Sequence, residues 1–277
     1  MGETLRVMTL NILGPPNLRW PERRERLGAL RPDVIALQEV MRTDEYDGVV
    51  DLLGADYAAA WFSERSDDGV GGALASRWPM RTLVELDYRV TPRHPDLAWC
   101  ATLIAEIDTP VGALIAVHHK PTWPFGDELQ RELVAVRAAR AVEDLLDGEH
   151  RHVVLLGDLD APPDPASVQF LTGRRSLDGT SVYFQDAWTS VHGDELGFTF
   201  DSASELVRAG EVATALSRRI DYVQVRGGRH GPTLRAVDCR LAFAEADDGL
   251  HASDHFGVVA DLTVPDHPPG TWAEGWS

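Results

Sequence analysis

The chain has 277 residues, of which 44 are acidic and 26 basic, giving a formal net charge of -18. A surplus of that size repels polyanions, and with no basic footprint along the chain it argues against nucleic acid as the partner. Hydrophobic residues make up 44%, enough for a sizeable core, and no apolar run reaches the length of a membrane span.

Leu5–Ile12 is apolar and β-branched and reads as a strand with Asn11 near its end. Its charged flank (Glu3, Arg6) does not suit a secretory signal. Pro21 opens a helix that runs to about Leu30 and is closed by Arg31-Pro32. Val34–Leu37 predicts a second strand that leads into Gln38-Glu39. Trp99–Ile107 and Gly112–Val117 form a hairpin about Asp108-Thr109-Pro110, and its second arm runs into His118-His119-Lys120. Asp127–Leu146 is the strongest helix, with Leu129, Leu133, Val136, Ala139, Val142 and Leu146 on one face and Gly148 as its stop.

Val153–Leu156 predicts a strand that feeds Gly157-Asp158-Leu159-Asp160, and Asp164-Pro165 caps a short helix to Leu171. Arg219–Val225, Leu234–Arg240 and Val258–Val264 complete the strand set. Strands dominate the first and last thirds with helices between, which suits an α+β sandwich. Residues 1–265 read as one domain and 266–277 as a surface tail. Cys100 and Cys239 lie in apolar segments and read as buried free thiols, which together with the missing signal points to a reducing cytoplasm, and a monomer is expected.

The ends of these strands carry the chemistry. Asn11, Glu39, His118, Asp158 with Asp160, and Asp254 with His255 all stand where a strand-like run meets a loop. Asp221 opens another such run about thirty residues before His255. An Asp beside a His orients the imidazole and keeps it positive, which suits a phosphoryl oxygen. Such a pair serves equally well to satisfy buried polar groups. The whole set reads as a metal–phosphate site.

The order MTLNI, DVIALQEV, GGALASRWP, VHH, GDLD, RIDY and SDH resembles the endonuclease/exonuclease/phosphatase superfamily, from about Leu5 to Leu262. That superfamily includes pancreatic-type deoxyribonucleases, abasic-site endonucleases, neutral sphingomyelinases and inositol polyphosphate 5-phosphatases. The resemblance implies a four-layer α/β/β/α sandwich of two packed mixed β-sheets with outer helices. It also implies a phosphoesterase that uses Mg2+ or Mn2+, as one ion or two.

By the same resemblance Glu39 is the metal-binding Glu, with Asn11 beside it and Asp254 near this metal or a second one. Asp158 orients or deprotonates the attacking water, and His255 contacts the scissile phosphate with Asp221 as its orienting partner. The family usually has one His at the hairpin position, and aligning the apolar run makes it the catalytic His118. His119 and Lys120 are then phosphate contacts, although adjacent strand residues face opposite sides and a solvated Lys120 is the simpler reading. Arg219 fits either a surface ion pair or the site.

Two positions depart from the family pattern. The GDxN motif becomes Gly157-Asp158-Leu159-Asp160, so a carboxylate replaces a phosphate-contacting Asn. At about 4 Å and an effective dielectric of about 20 its repulsion of a phosphate is roughly 4 kcal/mol. A second metal held by Asp160, a protonated Asp160 or a changed substrate would each offset it, and the second metal is preferred. After SDH stands Phe256-Gly257, where a Pro is common.

The functional expectation is a Mg/Mn-dependent hydrolase of a small phosphorylated molecule. A DNA or RNA endonuclease and a non-catalytic binding module are the alternatives. Trp61-Phe62, Trp78 and Trp123-Pro124-Phe125 fall in or near loops and fit either a substrate pocket or the core.

Overall fold

The computed structural model describes residues 3–14, 19–29, 31–92 and 96–273. In chain order the first elements are β1 (Thr4–Asn11), α1 (Trp20–Leu27), β2 (Val34–Met41), α2 (Gly48–Leu53), β3 (Ala58–Trp61), β4 (Val70–Ser76), β5 (Met80–Asp87), β6 (Ala101–Thr109) and β7 (Gly112–Lys120). They are followed by α3 (Glu128–Leu146), β8 (His152–Asp158), α4 (Ala166–Leu171), β9 (Phe184–Asp186), α5 (Ala187–His192), α6 (Glu205–Ala209), β10 (Asp221–Gly228), β11 (Gly231–Pro232), β12 (Arg235–Ala242) and β13 (Gly257–Thr263).

The strands form two mixed sheets. One has the order β12-β13-β1-β2-β4-β3, with β1 and β2 parallel. The other runs β11-β10-β8-β7-β6-β5, with β7 and β8 parallel and β9 added on β10. The central strands are apolar on both faces because each face is covered. Leu5, Val7, Val34 and Ala36 of the first sheet meet Leu114, Ala116, Val154, Leu156 and Val223 of the second in one core. On the outer face of the first sheet, Met8, Leu10 and Ile35 pack against Trp20, Leu27 and Leu52 of α1 and α2. On the outer face of the second, Ile115, Val117 and Leu155 pack against Val136, Ala139 and Phe170 of α3 and α4. This is the four-layer α/β/β/α sandwich.

Several boundaries differ from expectation. Helix α1 ends at Leu27, and Leu30 lies outside the described residues. Asp164 does not cap α4: Glu128 of α3 accepts from the Ser167 N–H at 2.8 Å instead. Leu129 is 62% exposed, while Val134, Ala135 and Ala138 fill the buried face of α3. The hairpin turn is Pro110-Val111, between the paired Thr109 and Gly112. Cys100 and Cys239 are free and buried. The described part of the tail, to residue 273, contains no helix or strand, and Glu274–Ser277 lie outside the described residues.

Two strands run past their apolar stretch, and both extensions shape the site. Strand β7 continues through Lys120, so His118 and Lys120 share the inner face and His119 takes the outer one. Strand β2 continues to Met41 through a β-bulge. Gln38 pairs with Gly72 and Val40 with Gly71, which leaves Glu39 as the extra residue at φ 54°. Ala36 and Gln38 face the second sheet, and Val40 faces the helices. A regular strand would turn Glu39 outward, and the bulge turns it toward the site.

Gly157 stands where β7 and β8 close on each other. A Cβ there would lie 1.9 Å from the His119 carbonyl oxygen, so any side chain forces the parallel pair apart. Gly157→Ala is expected to lower the unfolding free energy by about 2 kcal/mol or more in urea titration. An unchanged midpoint would show that the strands part freely.

Candidate active site

The inner-face residues at one end of the sandwich converge. Asn11 of β1 donates through Nδ2 to Glu39 Oε1 at 3.0 Å and to Asp158 Oδ2 at 3.2 Å, joining the two sheets. Its own Oδ1 is fixed by the Leu13 N–H at 3.0 Å. Lys120 donates to Asp158 Oδ2 at 2.8 Å and also to the Asp160 carboxylate. The Asp160 N–H closes back on Asp158 Oδ1 at 3.1 Å. Asp221 pairs with Asp158 across β10 and β8, and its Oδ2 lies 2.9 Å from His255 Nδ1.

The loops that present these groups are pinned from beneath. Thr199 Oγ1 accepts from the N–H groups of Ile220 and Asp221 at 3.0 and 3.1 Å. Ser253 donates to the Asn11 carbonyl at 2.7 Å, tying the Asp254-His255 segment to the end of β1. Arg23 of α1 is buried and donates to the carbonyls of Ala252, Ile12 and Leu13 at 2.9, 2.5 and 3.1 Å. Its charge also acts on Asp254 and Glu39.

Burial and neighbouring charge set the protonation states. Burial and the charge of Asp254 push Glu39 up to about 7, although it stays partly accessible to solvent. Burial alone would raise Asp158, but Lys120, His255 and Asn11 outweigh it and hold the carboxyl at about 2. Asp160 is raised by burial and by the Asp158 charge, with Lys120 opposing. Burial raises Asp221 to about 6 against the pull of His255. His255 resists burial and is carried well above its ordinary value by Asp221 and Asp158, so at neutral pH the pair is imidazolium and carboxylate.

Not every expected residue joins this cluster. His119 lies on the outer face of β7, with Nδ1 at 2.6 Å from Thr102 Oγ1, so it is no phosphate contact from here. His118 is on the inner face but lower down. It accepts from Gln38 Nε2 at 2.9 Å and stacks on Phe62 with ring centroids 4.6 Å apart. Burial lowers it to about 3, so it is a neutral imidazole beneath the carboxylates. Lys120 is not solvated: it is 2% exposed between two acids. Its ammonium offsets the Asp160 charge, which removes the ground for a second ion at Asp160. Arg219 is buried in an ion pair with Asp186 at 2.6 Å. Phe62 is core, Trp123 packs beside Tyr88 and Leu97, and Phe125 is 57% exposed.

Sequence reasoning missed Arg23 and Thr199. Arg23 left a signal, because it stands on the apolar stripe of α1 between Trp20 and Leu27. Thr199 lies in an irregular loop and left none.

The set also suits a divalent cation. Glu39, Asp158, Asp160, Asp221 and Asp254 are five carboxylates, and Arg23, Lys120 and His255 are three cations, so two negative charges are in excess. Hard oxygen donors with that excess match a divalent cation. Asp158, Asp221 and His255 also place one ligand atom each within 4.8 Å of one another, but the imidazolium state of His255 disfavours that trio.

A model of the Endonuclease/Exonuclease/phosphatase family matches residues 8–255. The chain belongs to this family. Endonuclease/exonuclease/phosphatase proteins are generally metal-dependent phosphodiester hydrolases. Among solved structures, TDP2 from Caenorhabditis elegans is similar at TM-score 0.73 and 17% identity, over 95% of this chain and 75% of that one. D. rerio TDP2 complexed with single strand DNA product gives 0.65 and 19%, over 94% and 99%. The human Nocturnin catalytic domain with bound sulfate anion gives 0.66 and 19%, over 95% and 94%. At these identities the likeness shows the fold. No curated protein matches the chain by sequence.

Removing Lys120 tests the charge balance. Lys120→Met is expected to cost about 3–5 kcal/mol, because two buried acids lose their counterion, and Asp160→Asn in that background should return part of it. The pH sign is defined. Asp158 falls on folding from 3.8 to about 2, so it adds stability that is full above pH 3.8 and lost as pH falls toward 2. In Lys120→Met the Asp158 carboxyl loses the main cause of its depression, so the loss of stability between pH 3.8 and 2 should shrink and the variant's deficit should narrow as pH falls, measured by urea titration across the acid range. An unshifted acid limb would rule out the pairing.

Proposed function

We propose that the chain hydrolyses a phosphoester of a small molecule by water attack, with a divalent ion, Mg2+ or Mn2+. The excess of two negative charges over the whole cluster carries the reading. Glu39 would hold the ion with Asp254 beside it, and Asn11 keeps the Glu39 carboxylate in place. A bound divalent ion supplies Lewis-acid stabilisation of phosphoryl charge. Asp158, held at about 2, is too weak a base to take a proton at neutral pH, so it orients the water through a hydrogen bond. The His255 imidazolium, held through Nδ1 by Asp221, offers its other N–H to a phosphoryl oxygen. Lys120 acts through Asp158 and Asp160 rather than on the phosphate.

The binding-module alternative rested on Asp160 as a sign of a degraded site, and the Lys120 contact gives that residue a compensated place. The nuclease reading draws support from the D. rerio TDP2 complex with single strand DNA product. The net charge of -18 counts against it. Gel-shift titration at about 0.15 M salt should show nothing tighter than roughly 10⁻⁴–10⁻⁶ M, and nanomolar, salt-sensitive binding would put the nuclease first. Among the described residues no helix is long and apolar enough to cross a membrane.

Metal binding should be pH-linked through Glu39. Its carboxyl must ionise to bind, so affinity should fall about tenfold per pH unit below about 7, with proton release visible by calorimetry in two buffers. In the metal-free protein the group is raised from 4.5 to about 7, so stability falls as pH rises through that window. Glu39→Gln should remove this slope, the metal affinity and most turnover of aryl phosphates. Wild-type metal affinity in Glu39→Gln would sink the assignment.

A further inference from the structure

A cavity of about 1350 Å³ opens beside the carboxylate cluster and contains none of its residues. It far exceeds what a phosphate needs and would seat a whole organic group. Its wall reaches the cluster through Arg218 and Arg219, the residues just before Ile220-Asp221. The Arg218 guanidinium lies 4.6 Å from the Phe125 ring and 5.3 Å from the Phe200 ring. The Phe200 ring in turn meets the His255 imidazole edge-on at 5.1 Å. One continuous stack therefore leads from the phosphate-binding imidazole to the cavity wall.

The charges there are set for an anion. Arg218 forms no ion pair with any described residue, in a chain where acids outnumber bases 44 to 26. Both Arg218 and Arg219 carry a buried Nε–H with no hydrogen-bond partner among the described residues, and Arg219 is only 6% exposed. Of the acids that line the cavity, Asp186 is taken by Arg219, and Asp164, Asp194, Glu195 and Glu211 are solvent-exposed. Leu196, Leu216 and Phe125 line it while 68%, 80% and 57% exposed. Apolar groups left in water beside an unpaired guanidinium fit a flat organic group with its own negative charge.

We propose that this cavity seats the leaving group of the substrate, an aromatic alcohol carrying a second anion, and that Arg218 recognises that anion. The proposal rests on the phosphoesterase reading and narrows its substrate class. Arg218 is then a specificity-determining residue, set two ring contacts away from His255.

The test compares para-nitrophenyl phosphate with its carboxylated analogue, using the full chain with Mg2+ or Mn2+. Arg218→Gln should lower the ratio of kcat/KM, carboxylated over uncharged, about tenfold. A purely structural role for Arg218 would change both esters alike and leave the ratio unmoved. Calorimetry with naphthalene sulfonate, which is not hydrolysed, supplies the second readout: Arg218→Gln and the surface change Leu216→Glu should each weaken its binding by about tenfold or more. Turnover with an unmoved ratio and unaltered sulfonate affinity overturns the cavity assignment and leaves the phosphoesterase standing. Sulfonate binding through Arg218 with no turnover of either ester overturns the leaving-group role by removing the phosphoesterase reading beneath it.

Discussion

Lys120 sets an ammonium, 2% exposed, between the carboxylates of Asp158 and Asp160. The rest of this end of the sandwich is arranged around that contact. Strand β7 must run past its apolar stretch to deliver residue 120 to the inner face. Strand β8 must lie close beside it, which the bare backbone of Gly157 permits. A buried ion group of this kind adds little net stability, because desolvation of three charges consumes most of the Coulomb gain. Its value lies in presetting Asp158. With Lys120 in place the carboxyl is held ionised at neutral pH despite its burial.

The same contact bears on the number of metal ions. An Asp at position 160 suggests uncompensated charge as long as the nearest cation is unknown. Once Lys120, Arg23 and His255 are counted, the surplus is shared: Glu39 and Asp254 have Arg23 near them, and Asp158, Asp160 and Asp221 have Lys120 and His255. The β-bulge aims Glu39 inward, and Arg23 clamps the loops that follow β1 and precede Asp254-His255. A divalent cation would balance the surplus of this end as a whole.

Most of the architecture was legible because the strands are short apolar runs bounded by Gly, Pro and Asp, and α3 repeats its apolar residues at helical spacing. Asn11, Glu39, Asp158, Asp221, Asp254 and His255 were legible as polar residues at the ends of such runs. Faces were harder. Whether His118 or His119 points inward depends on where β7 stops, and this strand runs three residues past its last apolar side chain because the pairing continues. Glu39 reads as a strand-end residue, yet it is a mid-strand bulge. No periodicity signals a bulge, because the pattern shifts only once. Lys120 reads as solvated because composition cannot reveal that two acids forty residues downstream will enclose it. Long-range pairing, rather than local preference, decided each of these.

Length scale reconciles an acidic chain with an anionic substrate. Salt screens exposed charges beyond about 8–10 Å at cellular ionic strength, while buried pairs are screened far less. On the proposed reading a small ester at the end of the sandwich would meet His255 and Arg218 at close range, and the exposed acids would reach it only weakly. A polyanion must lie along the surface, where it meets the surplus carried by 44 acids against 26 bases at every step. The same charge distribution can thus exclude long polyanions and still admit a compact one. What discriminates is how far the ligand extends beyond the cluster, and the cavity beside Arg218 gives a compact ligand room to extend in one direction only.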